Sequence, residues 1–220
     1  MNASLPAAPA HNCPLCPRLA AFRDANAEKF PDFHNGPVPS FGSLDSRLLI
    51  VGLAPGLKGA NRTARPFTGD YAGDLLYPTL EKFGFSKGAY KASPEDGVEL
   101  IDCRITNAVR CVPPQNKPVG AEVNACRPFF VDEMAAMGNL RVILALGGLA
   151  HKATLAALGY KQSAFAFGHN AMHDIEVDDF PVLLANSYHC SRYNTNTGRL
   201  TTEMFEDVFT QVRARLDAGN

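Results

Sequence analysis

Four short apolar runs constrain this chain more than any other feature. Leu48–Val51, Leu100–Ile105, Val142–Leu146 and Val182–Ala185 are each bounded by turn residues, and segments with helical spacing separate them. A run that is apolar at successive positions has no face to offer water, so each reads as a strand covered on both sides. Strands alternating with helices imply an α/β fold around a parallel sheet. Helices are expected over Arg18–Lys29, Ala72–Phe83, Glu122–Met137, Leu149–Leu158 and Thr201–Leu216. Thr201 is the natural N-cap of the last, while Pro78 and Pro128 weaken two of the others.

The residues that follow these strands are polar or demanding of backbone geometry: Gly52-Leu53-Ala54-Pro55, Thr106-Asn107-Ala108, Gly147-Gly148 and Ser187-Tyr188-His189. Open α/β sheets bind their ligands outside the carboxyl ends of the strands, so a site is expected there. The first of these loops, within IVGLAPGLKGANRT (50–63), is rich in glycine, which lets a backbone approach a ligand closely. Its spacing matches neither the P-loop nor the dinucleotide fingerprint.

A chain of 220 residues, 46% hydrophobic, can bury one sizeable core, so residues 13–220 read as a single domain behind a flexible tail over residues 1–12. The start MNASLPAAPA lacks a secretory signal, and no apolar stretch is long enough for a membrane helix. A soluble, cytoplasmic monomer is expected. With a net charge of -1, a nucleic-acid site has to be local. Three groups, Lys58/Arg62/Arg65, Arg104/Arg110/Lys117 and Arg192/Arg199, form a basic rim only if the fold gathers them. His169 and His173 have an i, i+4 spacing that invites a zinc reading, but these two and His151 read more simply as surface or turn histidines.

Six cysteines stand at positions 13, 16, 103, 111, 126 and 190. Cys13-Pro14-Leu15-Cys16 is a C-x-x-C, and Cys111 and Cys126 flank a proline-rich loop able to turn them toward it. In a cytosolic chain such a set reads as metal binding before disulfide. Four thiolates suit zinc or an iron–sulfur cluster, and independent buried cysteines are the plainer alternative. Cys103, inside a strand, reads as core.

Taken in order, GLAPGLKGANRTARPFTGD (52–70), TNAVRCVPPQNKP (106–118) with Cys126-Arg127-Pro128-Phe129, and SYHCSRYNTNTGRLT (187–201) resemble the family 5 uracil-DNA glycosylases, and the C-x-x-C completes the pattern. The resemblance implies a three-layer α/β/α fold with a central four-stranded parallel sheet. It further implies a structural [4Fe-4S] cluster on Cys13, Cys16, Cys111 and Cys126, and excision of uracil and some other deaminated bases from DNA. One departure stands out: the family's closing motif begins His-Pro-Ser, whereas this chain has His189-Cys190-Ser191. Without the ring of proline that loop is expected to be looser and to carry an extra N–H donor.

Within that resemblance the residues divide into roles. A base in a duplex has to be extruded, at a cost of about a few kcal/mol, before its glycosidic bond is reachable. Phe67 is the expected stacking platform, although alone it would pass for a core phenylalanine. Asn107 is suited to read uracil, because its amide accepts from N3–H and donates to O4 while cytosine presents the opposite pattern; the plainer alternative is an amide bonded to the turn after its strand. His189 donates to O2 as negative charge grows on the base. Asp70, if ionised, positions water and stabilises the cationic sugar; otherwise it caps the helix that begins near Ala72. Gly52, Leu53 and Ala54 are expected to line the base through the backbone. Leu53 stands where the related family 4 enzymes resemble Gly-Glu-Ala-Pro-Gly, and an apolar residue there relaxes uracil selection. Asn61, Arg62, Ser191, Arg192, Asn194, Thr195 and Asn196 are the expected duplex contacts. Two rival readings use the same residues: a catalytically silent module that binds damaged DNA, and a zinc-stabilised nucleotide-binding protein.

Overall fold

A computed structural model describes residues 6–218. In chain order the elements are α1 (Pro17–Lys29), β1 (Leu48–Gly52), α2 (Ala60–Thr63), α3 (Tyr71–Lys82), β2 (Ser86–Lys87), β3 (Glu99–Leu100), β4 (Cys103–Asn107), α4 (Gly120–Ala136), β5 (Val142–Leu146), α5 (Gly148–Ala157), β6 (Met172–Val177), β7 (Phe180–Ser187), α6 (Arg192–Asn196) and α7 (Thr202–Ala218). The main sheet has the order β4-β1-β5-β7-β6. Its first four strands are parallel, as expected, and β6 is added antiparallel along β7.

The central strands β1 and β5 carry no polar side chain and are buried at every position because each face of the sheet has its own helical layer. Leu48 and Ile50 of β1 pack with Leu76 and Leu80 of α3 and with Phe205, Val208 and Phe209 of α7. Their neighbours Leu49 and Val51 point the other way, toward Phe130 and Met134 of α4 and Ala150 and Ala153 of α5. Successive residues of a strand face opposite sides, so one continuous apolar run feeds both cores. This is a three-layer α/β/α arrangement.

The five expected helices lie within a few residues of their places, and Thr201 caps α7 by accepting the N–H of Met204 at 3.2 Å. Pro78 and Pro128 interrupt neither helix. Both are exposed, and so are Asp74 and Asn124, whose carbonyls would otherwise receive the missing N–H and face water instead. The expected strand Leu100–Ile105 is corrected: Leu100 belongs to a two-residue ladder with Ser86, and β4 begins at Cys103. Between them Asp102 turns the chain with φ +52°, its carboxylate held by the backbone N–H and the guanidinium of Arg47 at 2.7 and 2.8 Å. Of the expected tail, residues 1–5 lie outside the described part. In the remainder, the His11 ring meets the His34 carbonyl at 3.1 Å.

Candidate active site

Register brings the first two elements of the site together. Gly52, the last residue of β1, is paired with Asn107, the last of β4. Gly52 is itself buried, and a Cβ there would come within 2.4 Å of Asn107 Oδ1 and 2.8 Å of the Phe67 ring. The missing side chain thus leaves room for Asn107 and Phe67. The carbonyls of Gly52 and Leu53 accept the N–H groups of Ala108 and Val109 at 2.9 Å, locking the loop onto the end of β4.

A cavity of about 340 Å³ opens at these strand ends, lined by Leu53, Ala54, Phe67, Asp70, Asn107 and His189, with Tyr71, Asn116, Ser191 and Arg192 among the residues around them. Phe67 adopts φ +52°, which for a bulky residue costs of order 1–3 kcal/mol and persists only where neighbours impose it. Those neighbours are specific. Arg65 makes a two-pronged ion pair with Asp96 at 2.7 and 2.8 Å and donates from Nε to Thr68 Oγ1 at 2.7 Å. The Tyr77 hydroxyl donates to the Pro66 carbonyl at 2.8 Å. The Phe67 and His189 rings stand 5.9 Å apart, centre to centre, across the site.

Asp70 occupies the N-cap position of α3, yet its side chain makes no capping bond. Its Oδ1 is buried without a hydrogen-bond partner. Burial raises its carboxyl above the usual carboxylate range, and the N–H groups of Gly73 and Ala72 offset this only in part. Gly59 makes room for it, since a Cβ there would stand 2.3 Å from Asp70 Oδ2. Burial also lowers the imidazole of His189, which favours its neutral form. Neither the Asn107 amide nor the His189 ring has a hydrogen-bond partner among the described residues, so the alternative in which Asn107 is spent on its own turn does not hold.

The expected duplex contacts divide. Ser191 and Arg192 line the cavity mouth, and Arg62 and Asn196 are exposed. Asn61 is corrected: it is buried and donates to Asn35 Oδ1 at 3.0 Å, holding the loop from inside. Asn194 is corrected as well, because its amide donates to the His189 carbonyl at 2.8 Å. Thr195 Oγ1 bonds back to the Ser191 carbonyl at 3.2 Å. The basic rim loses Arg65 to Asp96, and Arg104 and Arg110 to Glu133, whose two oxygens they meet at 2.6 Å each. His151 is no surface residue: it is buried between Asn186 Oδ1 and the Phe165 carbonyl at 2.7 and 3.0 Å. The thiol of Cys190 is fully buried in the core, so packing holds the loop where the proline ring is missing.

Two residues at the mouth are not singled out by the sequence. Asn116 reaches the cavity from the loop between Cys111 and Cys126, where Gln115 and Asn116 both have left-handed φ, +56° and +57°. Asn tolerates that region better than most residues, and the Pro-Pro-Gln-Asn string was the available signal. Tyr71 lies beneath Arg192, whose guanidinium is 5.8 Å from the ring centre.

The four cysteines of the expected ligand set share a second, small cavity, walled otherwise by apolar side chains such as Leu15, Leu19, Val109 and Phe129. Cys13 and Cys16 come from the segment just before α1, Cys111 from the loop after β4 and Cys126 from α4. The backbone N–H of Arg110 points at Cys126 Sγ, 3.4 Å away. Burial pushes the thiol of Cys111 up to about 12 and raises those of Cys16 and Cys126. Among the described residues no three His, Cys, Asp or Glu side chains close around a single metal ion. Cys103 is buried on the opposite side of the sheet, with the core of α3 and α7.

The sequence that builds this cavity, with Asp70, Asn107 and His189 over it, has relatives among known proteins. The sequence profile of the Uracil DNA glycosylase superfamily matches residues 39–213, and the chain belongs to that superfamily. It is 43% identical over 206 residues to the type-5 uracil-DNA glycosylase of Thermus thermophilus, covering 91% of this chain and 92% of that relative. It is 40% identical to the type-5 uracil-DNA glycosylase of Pyrobaculum aerophilum, covering 94% and 90%, and 30% identical to a type-4 uracil-DNA glycosylase of the same organism, covering 74% and 77%. Within the superfamily the chain therefore falls in the type-5 group. No helix among the described residues is long and apolar enough to cross a membrane.

Proposed function

We propose that this protein hydrolyses the N-glycosidic bond of uracil in DNA, opening base excision repair. The observation that carries the reading is the buried carboxylate of Asp70, whose Oδ1 has no hydrogen-bond partner, at the cavity that Phe67, Asn107 and His189 also line. A carboxylate buried without a cation beside it is costly, and the cost is recovered where positive charge develops next to it.

In this reading the uracil nucleotide is extruded into the cavity and its base rests on Phe67, a contact worth roughly 1–3 kcal/mol. The Asn107 amide accepts from N3–H and donates to O4. As the bond between C1′ and N1 breaks, its electron pair leaves with the base, and an imidazole N–H of His189 stabilises the charge growing at O2. The Asp70 carboxylate faces the cationic sugar and orients the water, whose oxygen bonds to C1′ as its proton passes to that carboxylate. Ser191 and Arg192 hold phosphates and position the strand without reading sequence. Leu53 offers the base no polar group, so other deaminated bases are admitted alongside uracil. Action as a monomer in the cytoplasm completes the reading.

Cys13, Cys16, Cys111 and Cys126 would hold the [4Fe-4S] cluster. One feature supports it: the four thiols line one small cavity whose other walls are mostly apolar. When bound, the cluster supplies cationic iron that neutralises buried thiolates and ties α1 to α4, with no redox role in hydrolysis.

The test is a duplex carrying one uracil, incubated with the protein and treated with alkali. The expected result is a strand break at the uracil and free uracil in solution, with matched thymine- and cytosine-containing control duplexes cut far less. No alkali-labile site at any pH between about 6 and 9 would exclude the enzyme and leave the silent damage-binding reading.

A further inference from the structure

The His189 ring has no hydrogen-bond partner of its own among the described residues, so its aim is inherited from its backbone and from packing. β7 ends at Ser187, where the Ser187 carbonyl accepts the Gly147 N–H at 2.8 Å. Beyond it the Tyr188 N–H donates to Nδ1 of His169, at 3.2 Å. His169 lies in the turn ahead of β6, and its ring stacks on that of Tyr188 with centres 5.1 Å apart. The guanidinium of Arg199 stands 4.5 Å from the centre of the same tyrosine ring.

The protonation of His169 follows from its partners. Nε2 faces the Met204 carbonyl at 3.2 Å, and a carbonyl only accepts, so Nε2 carries a hydrogen. Nδ1 faces a backbone N–H, which only donates, so Nδ1 is bare. The Ser187 hydroxyl, 3.4 Å from Nδ1, has its proton directed to the Tyr188 carbonyl at 2.9 Å. One imidazole therefore bridges the N-terminal turn of α7 to the residue immediately before His189.

We propose that His169 is a positioning residue for the reaction, accepting the Tyr188 N–H at Nδ1 and so holding the backbone that aims the His189 ring into the cavity. The proposal rests on the reading of His189 as the donor to the leaving base. It also accounts for the sequence pattern: a histidine eighteen residues before the end of β7 has no part in the base pocket, yet both of its ring nitrogens are engaged.

Three substitutions separate aim from bulk. His169→Asn places an amide oxygen where Nδ1 stands and keeps the acceptor for Tyr188. His169→Gln reaches the Nε2 position and keeps the bond to Met204 but not that acceptor. His169→Phe keeps only the ring. Single-turnover cleavage of a uracil-containing duplex at saturating protein should fall at least about tenfold in the Gln and Phe variants and stay within about threefold of wild type in the Asn variant. DNA dissociation constants should stay within about twofold in all three. Wild-type rates in the Gln or Phe variant, or an Asn variant as slow as Gln, would overturn the proposal. Wild-type cleavage in the same experiment separates such a failure from failure of the functional reading. Nitrogen NMR of the wild-type histidines gives a second measurement that needs no variant: a bare Nδ1 and a protonated Nε2 are expected at His169, and a protonated Nδ1 would overturn the assignment.

Discussion

Asp70→Asn should slow single-turnover release of uracil by about 10²–10⁴-fold, the range associated with a positioned acid–base group, while affinity for DNA changes by less than about threefold. The substitution keeps shape and even capping ability, because Asn caps helices as well as Asp does. Only the charge is lost. The same change should leave the fold at pH 7 as stable as before or more so. Burial raises the Asp70 carboxyl, so the folded state binds a proton that the unfolded state releases, and stability falls as pH rises through the raised value. An amide that never ionises escapes that loss. Inactivity together with an unchanged or higher melting temperature would mark a site kept strained for function. The acid limb of the wild-type pH–rate profile should lie above the ordinary carboxylate range and vanish from the residual activity of the variant. A variant that retains the parental rate would reduce Asp70 to the start of a helix.

The second large effect is expected at the cysteines. Protein purified without oxygen should be yellow-brown and contain iron and sulfide. Cys111→Ser should lose the colour and lower the melting temperature by more than about 10 °C, because the energy of holding the group is energy of folding and three thiolates are left poorly compensated. Cys103→Ala, on the other side of the sheet, should keep the colour at the modest cost of a core cavity. Stoichiometric zinc and no visible absorbance in the anaerobic protein would instead favour the zinc-stabilised reading.

How far the chain could be read in advance varied with the physics at each place. Leu48–Val51 and Val142–Leu146 were legible because burial on both faces leaves no polar residue to confuse the pattern. β6 was not, since an edge strand shows water one face and one side, and His173, Asp174 and Glu176 dilute its single buried residue, Ile175. The break at Asp102 depends on Arg47, distant in sequence, and leaves no local trace. The same holds in the site. Phe67, Asp70, Asn107 and His189 stand within short motifs at strand or loop ends, and all four converge on one cavity. Asn61 and Asn194 share those motifs but face inward, because an amide looks the same in sequence whether it meets a phosphate or a carbonyl of its own chain. Arg65, Arg104 and Arg110 looked like free positive charge for the same reason: their carboxylate partners Asp96 and Glu133 are supplied only by the fold.

The most direct measurement is a crystal structure of the protein on a duplex that carries 2′-fluoroarabino-uridine, whose fluorine disfavours the cationic sugar and so blocks cleavage. The base should be found out of the helix and stacked on Phe67, with N3 and O4 within hydrogen-bond distance of the Asn107 amide and O2 within reach of His189. The Asp70 carboxylate should lie on the opposite side of C1′ from the base. A uracil still paired in the duplex, or bound elsewhere with the cavity at the ends of β1, β4 and β7 left vacant, would contradict the account.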